Sequence, residues 1–544
     1  MLSLFTVHYS LLTIYNYLFS IMKILSRLKP AWKIILAAVI ITTAVVVFLP
    51  IFLYTPPPLP PGTNVATSPM NIAAENINLL IDDTAWDPVA GKRVFDQEIF
   101  DEILAIINRA DKFIYIDLFL WNPWQGSIPE EHRNLSRQLA KALIEKKRSQ
   151  RGMEVLVLSD PINRIYGGHE PEFFKDMSKA GIPVVFTDLT RLPDSNSIYA
   201  PYWSVIEKLL RTPLLIQWSG RQRFSNPFDK SGDRISALQL GRMLRFKANH
   251  RKVVIAGSAQ HGLEMVVGSL NPADGSSAHS NIALALRGEP ALQALQTELA
   301  ALRWSIEQKR NVIVGATSMA SFKADSMERK AEEISSLAKA APGKPTVQWL
   351  TEGAIAESII RLLERTGAGD KVRIAMFYLS QREVIEALKG AIAREASVKI
   401  VLDANRDAFG MKKIGVPNRP VASELMKLSK VHDVDVHWAD THGEQFHTKA
   451  MSITFGETGE HVFIAGSANW TRRNIGNLNL EANILVRNAD ELTKEYNTYF
   501  DRIWDNTDGL SHTTPYETWE EKGLKRFIKT RIYRFQEKWG AGTF

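Results

Sequence analysis

The sequence predicts an α/β protein: two repeated α/β sandwich domains related by a pseudo-twofold axis, set behind one N-terminal transmembrane helix. Three observations predict this. A polar motif occurs twice, the strand and helix pattern leading to each copy repeats, and one long uncharged stretch stands near the start.

The motif reads Asn249-His250-Arg251-Lys252, then Gly268-Ser269-Leu270-Asn271, and returns as Phe446-His447-Thr448-Lys449, then Gly466-Ser467-Ala468-Asn469-Trp470. An apolar run follows each Lys (Val253-Val254-Ile255; Met451-Ser452-Ile453), and another precedes each Gly-Ser (Met265-Val266-Val267; Val462-Phe463-Ile464). Each copy therefore reads as two adjacent strands that carry polar side chains to one edge. A single His-x-Lys fits a solvated strand end. Two copies in the same strand-turn-strand context point to a site.

The stretches ahead of the motifs match as well. In the first half, Phe113-Ile114-Tyr115-Ile116 reads as a strand, 130–148 as a helix, and Val155–Leu158 and Val184–Phe186 as strands. In the second half, Val372–Ala375, a helix over 382–395, Val398–Val401 and Val434–His437 give the same series. Strands alternating with helices argue for parallel or mixed sheets. The first half carries an insertion of roughly sixty residues between Asp188 and His250, about five times its counterpart, and loops that long usually serve a function. With Tyr202–Ile206 and Leu214–Trp218 it fits a cleft lining as well as a segment packed on its own domain.

At the N-terminus, Ile34 to Tyr54 gives 21 residues without a charge, and a helix rising ~1.5 Å per residue there spans about 30 Å, one bilayer core. Lys23, Arg27, Lys29 and Lys33 precede it, and the next basic residues are Lys92 and Arg93. The positive-inside bias thus places the N-terminus in the cytoplasm and the rest outside, in the periplasm of a bacterium. Met22-Lys23-Ile24 reads as an alternative start. The expected divisions are a cytoplasmic segment 1–33, a transmembrane helix 34–54, a Pro-rich stem 55–69, domain one 70–312, a linker 313–345, domain two 346–510, and a basic amphipathic tail 511–544. In the tail, Leu524, Phe527, Ile528, Ile532, Phe535 and Trp539 recur at helical spacing, with Lys525, Arg526, Lys529 and Arg534 between them, which suits a membrane surface or docking on the body.

The 544 residues have a hydrophobic content of 45% and a charged content of 23%, in the range of ordinary globular domains. There is no cysteine, which excludes disulfides, thiolate nucleophiles and Cys-based zinc sites. The net charge is +7; residues 1–33 and 520–544 together carry +8, leaving −1 for residues 34–519. A near-neutral middle lacks the basic track that a nucleic-acid backbone asks for.

Two imidazoles facing one phosphorus can act as in-line nucleophile and proton carrier. Lys, Ser and Asn donors suit the non-bridging oxygens. Such a site needs no metal and no cofactor. These motifs resemble those of the phospholipase D superfamily, His-x-Lys-x4-Asp followed by Gly-Ser-x-Asn, over roughly residues 75–510. Phe246–Lys252 and Arg287–Leu292 look like the bacterial phosphatidylserine, phosphatidylglycerophosphate and cardiolipin synthase branch.

The resemblance implies a phosphohistidine intermediate resolved by water or an alcohol. His250 and His447 would be nucleophile and general acid, Lys252 and Lys449 would join them, and Ser269, Asn271, Ser467 and Asn469 would bind phosphate. The family Asp falls at Gly257 and Thr454. The family also places an orienting acid downstream of each motif: Glu481 occupies that position in the second half, Asn281 in the first, where it is counted among the phosphate ligands.

A carboxylate beside His447 would give it the higher pKa, so that His250, the more often neutral, attacks while His447 protonates the leaving group. The expected partners are a phospholipid and a membrane, for a monomeric enzyme that cleaves or transfers a phosphatidyl group. A nuclease of the same superfamily and a membrane-tethered binding protein without catalysis are the alternatives.

Overall fold

The computed structural model describes residues 29–125, 132–227, 233–308, 317–336, 345–408 and 411–542. It divides into two units: residues up to 55 with 200–209, and the remainder.

In the first unit a helix runs Pro30–Leu53, and the Tyr202 hydroxyl donates to the Val47 carbonyl at 3.0 Å. Ile34, Ile41, Phe48 and Leu53 are exposed on that helix. Among the described residues, no helix is long and apolar enough to cross a membrane.

The second unit holds two mixed sheets, of eight and nine strands, that share the order of seven. The first runs Lys92–Asp96, Ile77–Asp87, Asn281–Arg287, Gly262–Gly268, Lys252–Ser258, Phe113–Leu118, Glu154–Ser159, Val184–Phe186. The second runs Met70–Asn71, Thr346–Thr351, Ala482–Arg487, His461–Gly466, Lys449–Thr454, Lys371–Met376, Ser397–Leu402, Val434–Ala439, Thr513–Pro515. In each, the three strands named ahead of the motif are parallel and the motif strands antiparallel. Strands buried on both faces need apolar residues at every position rather than alternation, and Phe113–Leu118 is buried throughout.

Helices cover the outer faces. Leu135–Ser149 sets Leu135, Leu139 and Leu143 inward, one turn apart, and Arg382–Ala393 does the same with Ile385, Leu388 and Ile392. The inner faces pack on each other: Ile282, Leu284 and Val267 of the first sheet share a core with Phe463, Ile484 and Val486 of the second.

Within 313–345, the helix Thr317–Ser336 turns Ala320, Ala324, Met327 and Ala331 into that core. In the tail, Thr513–Pro515 is an edge strand and Gly523–Trp539 a helix. This helix buries Lys529, Tyr533 and Glu537 against the body and leaves Leu524, Phe527, Ile528 and Phe535 exposed. The stripe Lys529, Tyr533 and Glu537 faces the protein.

The two departures from the motif have local causes or substitutes. A side chain at Gly257 would run into the Phe113 ring, and the Gly257 carbonyl accepts the amides of Asp111 and Lys112. Thr454 Oγ1 lies 3.4 Å from His461 Nδ1.

Candidate active site

Each motif histidine follows a short backbone bridge to the other half. His250 N donates to the Leu480 carbonyl and Leu480 N to Ala248; His447 N donates to the Ser280 carbonyl and Ser280 N to Gln445. The residue just before each histidine is held by a carboxylate at the end of a parallel strand. Asp160 Oδ2 accepts Asn249 N at 2.6 Å, and Asp403 Oδ2 accepts Phe446 N at 2.9 Å. Asn163 and Asn418 repeat the device one layer on, accepting from Trp121 N and Leu379 N and donating to the Phe119 and Phe377 carbonyls. Phe119 then packs 4.6 Å from His250, and Phe377 5.0 Å from His447.

The orienting partners are exchanged relative to the sequence expectation. Glu481 Oε1 lies 2.7 Å from Nδ1 of His250, not of His447. His447 Nδ1 is 3.1 Å from Asn281 Oδ1. The backbone bridges explain the exchange: Glu481 follows Leu480, which pairs beside His250, and Asn281 follows Ser280, which pairs beside His447. The carboxylate therefore backs His250. Both acceptors hold the ring proton on Nδ1, which leaves the Nε2 lone pair of each neutral ring free.

Both rings are less basic than a free imidazole. Burial pushes His250 down to about 4, against the upward pull of Glu481. Burial, then the Lys449 ammonium and His279, hold His447 well below its ordinary value, with no carboxylate opposing them.

Three expected phosphate ligands stand behind the histidines. Ser269 Oγ donates to Asn281 Oδ1 at 3.0 Å and accepts Ile282 N; Ser467 Oγ donates to Glu481 Oε2 and accepts Ala482 N at 2.9 Å. Asn281 Nδ2 donates to Asp82 and to the His279 carbonyl. Ser269, Ser467 and Asn281, expected as phosphate ligands, thus hydrogen-bond within the protein behind the rings.

Lys252 and Lys449 each donate to the carbonyl of their own histidine, at 2.5 and 2.7 Å, beside the Phe119 and Phe377 rings. Burial lowers Lys252 to about 7 and Lys449 well below its ordinary value.

A cavity of about 640 Å³ opens over both imidazoles, a size that takes a substantial organic ligand. Asn271 and Asn469 line it. So do Leu240, Met243, Leu244 and Phe246, from the end of the first-half insertion nearest His250.

Sequence reasoning missed Asn474, whose Nδ2 donates to Glu481 Oε1, and His279, whose Nδ1 accepts Gln445 N at 3.2 Å. Both line the cavity. His279 lies two residues before Asn281 as Asn479 lies two before Glu481, and the repeat offered that signal.

Residues 359–504 match the family model described as the phospholipase D-like domain of cardiolipin synthase. This part of the chain is a phospholipase D-like domain. It holds His447, Lys449, Ser467, Asn469 and Glu481, and the first half repeats the strand order of the phospholipase D-like sheet.

Phosphatidylserine synthase of Haemophilus influenzae Rd KW20 shares the fold at 11% identity and a TM-score of 0.50, over 87% of this chain and 95% of that one. Polyphosphate kinase from Porphyromonas gingivalis (11% identity, 87% of this chain, 57% of that one, TM-score 0.40) is a looser likeness. So is Nuc, a phospholipase D family member from Salmonella typhimurium (15% identity, 30% of this chain, 95% of that one, TM-score 0.24). No curated protein sequence matches the chain.

Proposed function

We propose that the chain is a membrane-anchored phospholipid enzyme that transfers a phosphatidyl group to water or an alcohol through a phosphohistidine on His250. The observation that carries this reading is the pair of cavity-lining imidazoles, each with its proton held on Nδ1 and only one, His250, backed by a carboxylate.

In the first step His250 Nε2 attacks phosphorus, and the P–O bond to the leaving group breaks with its electron pair on oxygen. A proton from the imidazolium of His447 neutralises that oxygen. The ring phosphorylated on Nε2 keeps its Nδ1 proton and a positive charge, which Glu481 stabilises and a neutral amide does not. In the second step the acceptor hydroxyl attacks phosphorus as its proton passes to His447 Nε2, the P–N bond breaks, and both histidines return to their starting states. His250 thus keeps the role expected from sequence for the opposite reason: it attacks because it has the carboxylate.

The lipid substrate is supported by the family of residues 359–504 and by the apolar wall from Leu240 to Phe246. Membrane attachment has two supports. One is the uncharged stretch Ile34–Tyr54 of the sequence, which we read as the anchor with the N-terminus in the cytoplasm and the body outside. The other is the tail helix, whose exposed Leu524, Phe527, Ile528 and Phe535 stand among Lys525, Arg531 and Arg534, as on a helix lying at an anionic lipid surface.

The test incubates the full-length protein in mixed micelles of phosphatidylglycerol, with and without glycerol, and separately with single-stranded DNA. Release of phosphatidic acid, or formation of cardiolipin, is the expected result, lost in His250→Ala and in His447→Ala. Cut DNA with intact lipid overturns the reading, and a phosphohistidine trapped on His447 overturns the assignment of His250.

A further inference from the structure

Three arginines among the described residues are more than nine-tenths buried: Arg251, Arg419 and Arg473. Arg251 is matched by Glu298 and Glu352, and Arg419 by Glu521. Arg473 has no ion pair: Nη2 donates to the Gly542 carbonyl, the guanidinium lies 4.9 Å from the Phe246 ring, and Glu537, hydrogen-bonded to Ser380 and to Arg472 N, acts on it only through its charge. Its Nε is buried without a hydrogen-bond partner. A cation taken out of water without a hydrogen-bonded counter-ion is disfavoured, and burial pushes Arg473 down to about 10 against the pull of Glu537.

Arg473 lines the same cavity as the two histidines. The described wall of that cavity holds Lys247, Lys412, Lys413 and Arg473 and not one Asp or Glu. Lys247 is answered from behind by Asp194 at 3.2 Å, and the other three have no recorded ion pair. A phosphodiester brings one negative charge and meets the histidines, with the motif lysines close behind them. The wall carries more positive charge than that group needs. Arg473 lies over Phe246, on the side of the first-half insertion, whereas the groups that serve the histidines (Glu481, Asn281 and the two serines) sit behind the rings. Asn469 Oδ1, on the same wall, is likewise buried and unpartnered.

We propose that Arg473 is a second anion subsite in the cavity, taking a phosphate monoester or carboxylate carried by the acceptor alcohol, apart from the phosphoryl group being transferred. The planar guanidinium suits an oxyanion group better than a point charge does, because two parallel N–H donors match two oxygens. The acceptor is held by its charge while its hydroxyl reaches phosphorus and gives its proton to His447. The subsite rests on the proposed transfer reaction for its substrate, but not for its affinity toward an anion.

The experiment compares glycerol, glycerol 3-phosphate and serine as acceptors for the full-length protein in phosphatidylglycerol micelles. The wild type is expected to favour an anionic acceptor over glycerol by roughly tenfold in kcat/KM, the scale of one charge-assisted contact. Preference for glycerol 3-phosphate assigns the subsite to phosphate, and preference for serine to carboxylate. In Arg473→Gln the preference collapses toward one, and in Arg473→Lys part of it survives.

A wild type indifferent to acceptor charge overturns the proposal, whether or not Arg473→Gln folds, and so does an unchanged preference in that variant. A calorimetric titration with inorganic phosphate reads the subsite without turnover: Arg473→Gln binds about tenfold more weakly. Normal lipid turnover with equal phosphate affinity in both proteins sinks the subsite and leaves the function standing. Arg473-dependent phosphate binding without lipid turnover does the reverse.

Discussion

Glu481 Oε1 meets His250 Nδ1 at 2.7 Å across the boundary between the two repeats, while His447, the histidine of its own repeat, is left to Asn281. Each ring is thus oriented from the other half, and neither half alone holds a complete site. The backbone bridges Asn249–Leu480 and Ser280–Phe446 set this exchange, because each places an orienting residue one position beyond the bridge.

Replacing Glu481 with Gln keeps an oxygen for the Nδ1 proton and removes the charge that stabilises a phosphorylated ring. The expected result is a fall in kcat of about two to four orders of magnitude with little change in KM, by analogy with carboxylates that hold imidazoles elsewhere. Rapid-quench measurement of the phosphohistidine should show its formation slowed. Wild-type kcat in the variant would mean that the carboxylate is structural only.

A carboxylate can also be added to the weaker side. Asn281→Asp would place a charge on His447 Nδ1, which favours the imidazolium and raises the pKa of this ring. The neighbouring Asp82 is pushed up by burial to about 7, so it can share a proton with the new group. In the wild type His447 lies well below its ordinary value, so the acid form needed for the leaving group grows as pH falls. His250 takes up its own proton near 4, and attack stops there. The pH profile of kcat/KM should therefore be bell-shaped, with one limb set near 4 by His250 and the other set by His447. Asn281→Asp should move the limb set by His447 upward by about one unit while leaving the limb near 4 in place. A limb that stays put would show that His447 is not the acid.

Much of this was legible in the sequence because the repeat made it redundant. The strands at 113–116 and 372–375, 155–158 and 398–401, and both motif hairpins fall where the apolar runs predicted them, since a strand buried on both faces leaves little choice of residue. Both His and both motif Asn face one cavity. The partner of each histidine was not legible. Glu481 is 34 positions from His447 and 231 from His250, and only the packing of one sheet on the other brings it to the distant ring. Asn474 and Arg473 lie in a four-residue helix with no periodicity to mark them. Gly-Ser-x-Asn shows a donor without showing the inward bonds that Ser467 and Ser269 make with Ala482 and Ile282.

That reading of the serines can be checked on its own. Ser467→Ala removes the hydroxyl that donates to Glu481 and accepts Ala482 N, leaving a buried amide unsatisfied. The expected cost is about 1–3 kcal/mol of stability, with kcat reduced and KM for lipid unchanged. Ser269→Ala should act in the same way through Asn281. A serine that instead touched the substrate phosphate would show itself in KM and in phosphate affinity, with the melting temperature untouched.

Arg251, between His250 and Lys252, gives a stability prediction tied to the same boundary. Its Nη1 lies 3.2 Å from Glu298, on the helix Glu289–Ile306, and its Nη2 2.7 Å from Glu352, which precedes the helix Gly353–Arg365. Glu352 in turn accepts Glu481 N at 2.9 Å and Asn64 N at 2.7 Å. It does so from a backbone φ of 46°, a left-handed conformation that a glutamate holds only when its surroundings impose it. Arg251→Met fills similar space but leaves two carboxylates in the core without their cation, so it should destabilise the fold by about 3–5 kcal/mol. Arg251→Lys, a point charge unable to span both glutamates, should fall between. The urea midpoint of the full-length protein, followed by circular dichroism, reads this directly. Activity should fall further than stability at temperatures where Arg251→Met is still folded, because Glu352 holds the backbone of Glu481 and hence the partner of His250. A midpoint within about 1 kcal/mol of wild type, the scale of an exposed ion pair, would remove Arg251 from any such role.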